Sequence, residues 1–333
     1  MDSFSRTGSS VPGLPNISTL QPVKLFPNSL VVGRKLNELI ARWQIRRAAA
    51  KLGMGAALLW LNPHSAVHMV SRMGESGTIY DITDDWISPI QSDKSRKLIT
   101  DQDAELCRAA DSVIVCSQKL YDMKQGLAKD LHLVPNGVDV DHYSKVMDAA
   151  GSIPQEGCAW TKPVLGYTGT IHPERVDVSL VIRLAQKFVN GTIALVGPNL
   201  LPTQDRAKLA ELGNVVLTGP VAYQNLPDYM RTFDVCITPH CMSEFTESLN
   251  PIKLWEYLAS GKPVVSTNVA GFRDYSHLVH VANNADEFIQ ACEIALNEPC
   301  DLGKLRIAEA HKHTWTTRVD QIVSIIEGIG KPR

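Results

Sequence analysis

The chain has 333 residues, 44% hydrophobic and 20% charged, and its 33 Lys and Arg against 35 Asp and Glu leave a net charge of -2. This apolar share excludes a disordered chain, and the balanced charge leaves no cationic surplus for a polyanion, so nucleic acid is not an expected partner. The longest apolar run, Gly55 to Leu61, is far short of the roughly 20 residues of a membrane span, and MDSFSRTGSSVPGLPN at the start lacks the pattern of a secretion signal.

The first 30 residues, rich in Ser, Pro and Gly, show no sustained period and read as an extended lead-in. LVVGRKLNELIARWQIRRAAAKLG then sets Leu36, Leu39, Ile40, Trp43 and Ile45 on or near one stripe, which predicts an amphipathic helix ended by Gly53. Next, GAALLWL, GTIYDIT, DSVIVCS and LHLVP read as strands, separated by helices over Pro63–Met73, Ser92–Ala110 and Gln118–Lys129. Their continuous apolar character predicts a parallel sheet buried on both faces. Residues Asp141 to Lys162 break the rhythm as a linker. The alternation restarts with KPVLGYTG, TIALVGP, NVVLTGP, DVCITPH and KPVVSTN as strands. The helices between them are Asp177–Phe188, Thr203–Leu212, Gln224–Phe233 and Pro251–Ala259, and Asp286–Leu296 and Trp315–Ile326 follow. Two βα-repeating halves predict an α/β chain of two doubly wound domains, at 1–150 and 160–312, with a last helical segment at 313–333. Seven scattered Cys without a CxxC pair read as reduced core thiols.

Ligands of open α/β sheets bind beyond the C-terminal strand ends. In the second half those ends carry Gly169-Thr170, Gly197-Pro198, Gly219-Pro220-Val221 and Thr238-Pro239-His240, which predicts a shared ligand edge. Asn250 as N-cap, Pro251 at the first helical position and Gly261 as the stop define a short helix, whose free amides and dipole suit an anion. Lys253 adds positive charge there. Glu256 stands one turn on, placed either to accept hydrogen bonds from ribose hydroxyls or to pair with Lys253 or Lys262. Asp81, Asp84 and Asp85 form an acidic group at a first-half strand end, with Asp84 or Asp85 expected at the cleft. Trp86 beside them is a stacking candidate. His64, His172 and His240 sit at strand ends or in cleft-facing loops. No His/Cys cluster has zinc spacing, and there is no GxGxxG after a strand, no GxxxxGK[ST] and no GxSxG.

The segment from Ser248 to Pro263 resembles the donor signature of group 1 (family 4-like) glycosyltransferases of the GT-B architecture, and is most similar to the bacterial cell-wall and exopolysaccharide (teichuronic-acid-type) subgroup. The resemblance extends over Ile79–Trp86, Ala110–Ser117, Val134–Asp139, Gly166–Gly169 and Leu217–Val221, in family order. It implies two Rossmann-like domains facing a cleft, with the C-terminal helix returning to the first domain. It implies sugar transfer from a nucleotide-diphosphate sugar to a glycan or lipid-linked acceptor, retaining and without a metal or other cofactor. Glu256 would hold the donor ribose. Ser248 stands where the family's first acid is expected. Leu249, Asn250, Pro251, Ile252 and Lys253 would face sugar and phosphates, Gly219-Pro220-Val221 the base, and Arg175 would replace the usual Lys. Arg175, Lys253 and Asp84 are therefore the expected catalytic residues, and His64, Asp85, Trp86, His172 and His240 the cleft and acceptor candidates. The implied location is cytoplasmic, with peripheral contact at the inner face of the cell membrane as the further option. The family's opening strand and Gly-rich turn have no counterpart before the first amphipathic helix, so the expectation is either a start that has been trimmed or mis-assigned or a first domain without its leading βα unit. That departure makes a catalytically impaired nucleotide- or glycan-binding relative the second hypothesis, and a nucleotide-sugar epimerase of the same architecture the third.

Overall fold

The computed structural model of the protein describes residues 5–11, 14–27, 30–88, 91–148, 151–299 and 301–329. Two parallel sheets organise them. The first contains β3 (Leu58–Leu61), β4 (Gly77–Ile82), β5 (Ser112–Val115) and β6 (Leu131–Leu133), paired in the order of the chain. Helices α2 (Asp93–Ala109) and α3 (Gln118–Lys124) make the crossovers. The second sheet contains β7 (Val164–Thr168), β8 (Thr192–Val196), β9 (Val215–Leu217), β10 (Val235–Thr238), β11 (Val264–Thr267) and β12 (His280–Ala282). Its order, β12-β11-β10-β7-β8-β9, reverses direction between β7 and β10, the doubly wound arrangement whose switch point opens a crevice beyond the strand ends.

The expected strands form because their side chains have apolar neighbours on both sides. All five residues of β7 and of β8 are buried, as are all four of β10 and of β11. One face of the second sheet packs on α5 (Val178–Lys187), α6 (Thr203–Ala210) and α10 (Ala285–Ala295), through residues such as Leu184, Leu209 and Phe288. The other packs on α7 (Leu226–Arg231) and α9 (Ile252–Ala259), through Met230, Trp255 and Tyr257. The expected linker is structured at its start: α4 (Val140–Ser144) and a following turn bury Val140, Tyr143 and Val146 in this same core. Helix α12 (Trp315–Gly328) runs back to the first sheet, where Ile322, Ile325 and Ile326 cover Ile79, Ile114 and Val134. Its entry is fixed by Val138, whose amide donates to the His313 carbonyl (2.9 Å) and whose carbonyl accepts from the Trp315 amide (3.3 Å).

Several expectations need correction. The lead-in contains an antiparallel hairpin, β1 (Ser5–Val11) and β2 (Leu14–Pro22), whose polar sequence carries no apolar alternation. Pro63–Met73 contains only a 3-10 segment, His64–Met69. Helix α11 (Asp301–Ala310) was not expected. The amphipathic helix is present as α1 (Val31–Lys51), yet Leu36, Leu39 and Trp43 point to solvent, and its buried positions are Gly33, Asn37, Gln44 and Ala48. Cys107, Cys116, Cys236 and Cys292 are buried thiols as expected, Cys158 is exposed, Cys241 is half-buried, and Cys300 lies outside the described residues.

Candidate functional site: a cleft at the switch point

A cleft of about 490 Å³ opens between the two sheets. Its floor is the strand-end loops of β7 and β8. The backbone there is left-handed at both Gly169 (φ 137°) and Gly197 (φ 143°), and a Cβ on Gly197 would lie 2.2 Å from the Gly169 carbonyl oxygen. Only glycine at position 197 lets the two loops meet, which draws the Gly169-Thr170 backbone into the cleft wall. Gly219 bridges to Gly197, and Val221 and Leu226 close the far side.

The opposite wall is Leu249, Asn250, Pro251, Ile252 and Lys253. Here the helix starts one residue later than expected. Pro251 is the N-cap, with no side-chain cap, and Ile252 is the first helical residue. The N-caps of α2, α5, α10 and α12 (Ser92, Asp177, Asn284 and Thr314) all accept from first-turn amides. The first amides of α9 have no such partner and sit at the cleft, where the helix dipole favours an anion. The Asn250 side chain does other work: its Oδ1 accepts from the Asn136 amide (2.9 Å), and its carbonyl accepts from the Asn136 side chain (2.7 Å). Ser117 Oγ likewise donates to the Ser248 carbonyl (2.7 Å), so this loop is tied to the first-sheet side.

Charge converges on the cleft. Arg175 lines it from the segment after β7, which is held by the Cys241 amide donating to the Arg175 carbonyl (2.7 Å), and its guanidinium lies 5.3 Å over the Phe245 ring. Lys253 Nζ forms an ion pair with Glu256 at 2.9 Å, the Glu side chain being only 6% exposed. Asp84 faces them from the end of β4. Burial raises its carboxyl above the usual range, the Arg175 guanidinium pulls it back down, and Asp85 adds to the rise. His240 also lines the cleft. Its full burial, with Arg175 and Lys253 nearby, pushes the imidazole down to about 3, so it is neutral at physiological pH. Tyr143, from α4, sets its hydroxyl beside Glu256 without a hydrogen bond of normal geometry, and burial and that carboxylate push the phenol well up.

Of the expected residues, Asp84, Gly169, Thr170, Arg175, Gly197, Val221, His240 and Leu249 to Lys253 line one cleft. Glu256 lies behind Lys253 rather than on the surface of the cleft. Ser248 is buried, its hydroxyl donating to the Phe245 carbonyl (2.7 Å). Gly219, Pro220 and His172 lie outside the lining; the His172 ring accepts from the Glu174 amide (3.2 Å). His64 is a correction: it pairs with Gln102 (2.9 Å), away from the cleft. Asp85 is another: although burial opposes its charge, bonds from the Ser88 hydroxyl and the Ile87 and Ser88 amides hold its carboxyl low, as a turn cap. Trp86 stands exposed outside the lining. Asp81 accepts from Trp60 and Asn62 (both 3.2 Å), so the three aspartates serve separate ends. Pro198, in the expected strand-end loop, also lines the cleft, whereas sequence reasoning missed Thr83, Val196 and Leu226 as lining. It also missed Tyr143, whose position inside an apparent linker gave no signal.

A family profile described as "Glycosyl transferases group 1" matches residues 162–298. Over 262 residues the chain is 30% identical to TuaH of Bacillus subtilis (strain 168), which is named as a teichuronic acid biosynthesis glycosyltransferase; the match covers 74% of this chain and 65% of that relative's length. Among solved structures, sucrose-phosphate synthase from Thermosynechococcus elongatus superposes with a TM-score of 0.69 at 14% identity, covering 97% of this chain and 85% of the other. Anabaena HepE, solved in complex with UDP and glucose, superposes with a TM-score of 0.68 at 18% identity, covering 92% and 86%. At these identities the structures speak to the fold, which is the GT-B arrangement of two Rossmann-like sheets around a cleft. Residues 162–298 match the group 1 glycosyltransferase family, and the chain spans 65% of the length of the curated relative that it matches.

Proposed function

We propose that the protein transfers a sugar from a nucleoside diphosphate sugar to a hydroxyl of a glycan or lipid-linked acceptor, with retention at the anomeric carbon and without a metal. The observation that carries this reading is the meeting of Arg175, Lys253 and the uncapped amides of α9 in one cleft at the switch point. A departing diphosphate develops negative charge, and preoriented cations and helix amides stabilise it in the transition state. Glu256 accepts hydrogen bonds from the ribose hydroxyls, which requires its contact with Lys253 to loosen as Lys253 turns to the diphosphate. The acceptor hydroxyl attacks the anomeric carbon on the face the diphosphate leaves, and its proton passes to the departing phosphate oxygen. Asp84, on the first-sheet wall, orients that hydroxyl. HepE was solved with UDP and glucose, which makes UDP-glucose the first donor to try.

The test is incubation of the full chain with a panel of nucleotide sugars, with and without short glycan acceptors, and measurement of released nucleoside diphosphate. Release that depends on Arg175 and Lys253 supports the reading. Absence of both release and binding across the panel overturns it. A second reading rests on the first sheet, whose four described strands pair in chain order with no switch point. In it the second sheet binds the nucleotide and no transfer follows; tight binding without release would select it.

A further inference from the structure

The Glu256 carboxylate is paired with Lys253 at 2.9 Å, and a second donor lies beside it unused. Helix α4 packs on α9, and Tyr143 of α4, 1% exposed, shares a core with Leu254, Tyr257 and Leu258 of α9. The Tyr223 ring meets the Tyr143 ring edge-on, with centroids 6.0 Å apart. The Tyr143 hydroxyl is buried and has no hydrogen-bond partner among the described residues. A buried hydroxyl in that position costs free energy that a phenylalanine ring would not. The free protein gains nothing from it, so its use lies in another state of the site.

Donor binding supplies that state. When Lys253 turns to a diphosphate, Glu256 is left as a buried carboxylate without its cation, which is unfavourable unless other donors reach it. The ribose hydroxyls are two such donors, and the Tyr143 hydroxyl is a third. Burial and the Glu256 charge both keep the phenol proton on its oxygen, where it can be donated. Asn136, earlier in the same segment as Tyr143, already holds Asn250 just before α9, so one stretch of chain after β6 touches the donor helix at its entry and one turn in. We propose that Tyr143 is a positioning residue for the donor: its hydroxyl replaces Lys253 on Glu256, which frees the lysine for the diphosphate and keeps the carboxylate aimed at the ribose. The proposal rests on the ribose role given to Glu256 above.

The experiment combines titration calorimetry with UDP and urea unfolding, on the full chain. The variants are Tyr143→Phe, Glu256→Gln, Lys253→Met, and Tyr143→Phe together with Lys253→Met. Tyr143→Phe should weaken UDP binding about tenfold or more, the loss expected for a hydrogen bond to a charged acceptor, while its urea midpoint stays at or above that of the parent. A tyrosine that serves only the fold would do the reverse. In Lys253→Met the carboxylate lacks its cation even without UDP, so in that background Tyr143→Phe should lower the urea midpoint. That arm needs no ligand. A midpoint that Tyr143→Phe leaves unchanged in Lys253→Met, or lowers as much in the parent, overturns the proposal. So does UDP binding to Tyr143→Phe within about twofold of the parent. If Glu256→Gln also binds UDP as the parent does, the ribose reading has failed with it. If Glu256→Gln binds weakly and Tyr143→Phe does not, the ribose reading stands and this proposal alone has failed.

Discussion

Replacing Glu256 by Ala separates what the Lys253–Glu256 pair does for the fold from what it does for the ligand. The two charges are 2.9 Å apart, with the lysine side chain 19% and the glutamate 6% exposed. Removing one partner of a fully buried pair costs about 3–5 kcal/mol, mostly from the charge left behind. Lys253 already borders the cleft and can swing its ammonium into water, so the expected stability loss is smaller, about 1–3 kcal/mol. Binding should suffer separately. Hydrogen bonds to a charged acceptor contribute about 1.5–3 kcal/mol, so loss of the carboxylate that holds the ribose should weaken nucleoside diphosphate binding about 10- to 150-fold. Titration calorimetry on the parent, Glu256→Ala and Glu256→Gln gives the affinities, and urea unfolding gives the stability loss. Deoxyribose analogues should bind the parent and Glu256→Ala nearly alike. If Glu256→Ala binds within about twofold of the parent, the ribose role is wrong, whatever happens to stability.

Gly197→Ala should destabilise the protein by more than about 3 kcal/mol, because a left-handed φ adds to a Cβ-to-carbonyl contact of 2.2 Å at Gly169; urea midpoints measure it. Asn250→Ala removes the acceptor of the Asn136 amide, at a cost of about 1–3 kcal/mol, and faster exchange of that amide would report it. His240 supplies a pH dependence. Its folded pKa of about 3 lies below the free imidazole value, so the unfolded chain binds the extra proton, and stability falls as pH drops through 6.5 toward 3. Between pH 7 and 5 the contribution is up to about 2 kcal/mol, and His240→Asn should flatten that part of the stability profile by this amount. Equal slopes for parent and variant would place His240 in contact with water.

Much of this fold was legible because its strands are buried on both faces. VLGYT, TIALV and VVST are runs that only a covered parallel sheet accommodates, and each is a strand within a residue or two of where periodicity put it. Short or polar elements were not. HVA of β12 is three residues long, and the few apolar residues of the β1–β2 hairpin, Val11, Leu14, Ile17 and Leu20, recur every three positions rather than every two. The inverted α1 misled for a physical reason: periodicity finds an apolar face but does not say that it meets the core. The site was readable where backbone chemistry recurs locally, at Gly169, Gly197 and the start of α9. It was unreadable where contacts are long-range. Asn250 reads as a helix cap until Asn136, 114 residues away, takes its side chain. His64 reads as a strand-end histidine until Gln102 takes its ring.

The central claim is that the anion-binding edge of the second sheet, between Arg175, Lys253 and the start of α9, receives the donor diphosphate. A crystal structure of the protein at saturating UDP tests it most directly. The account predicts phosphate density within hydrogen-bonding distance of the Ile252 and Lys253 amides and of the Arg175 guanidinium, with the Glu256 carboxylate turned to the ribose. Diphosphate density elsewhere on the protein, or this cleft empty at saturation, would contradict it.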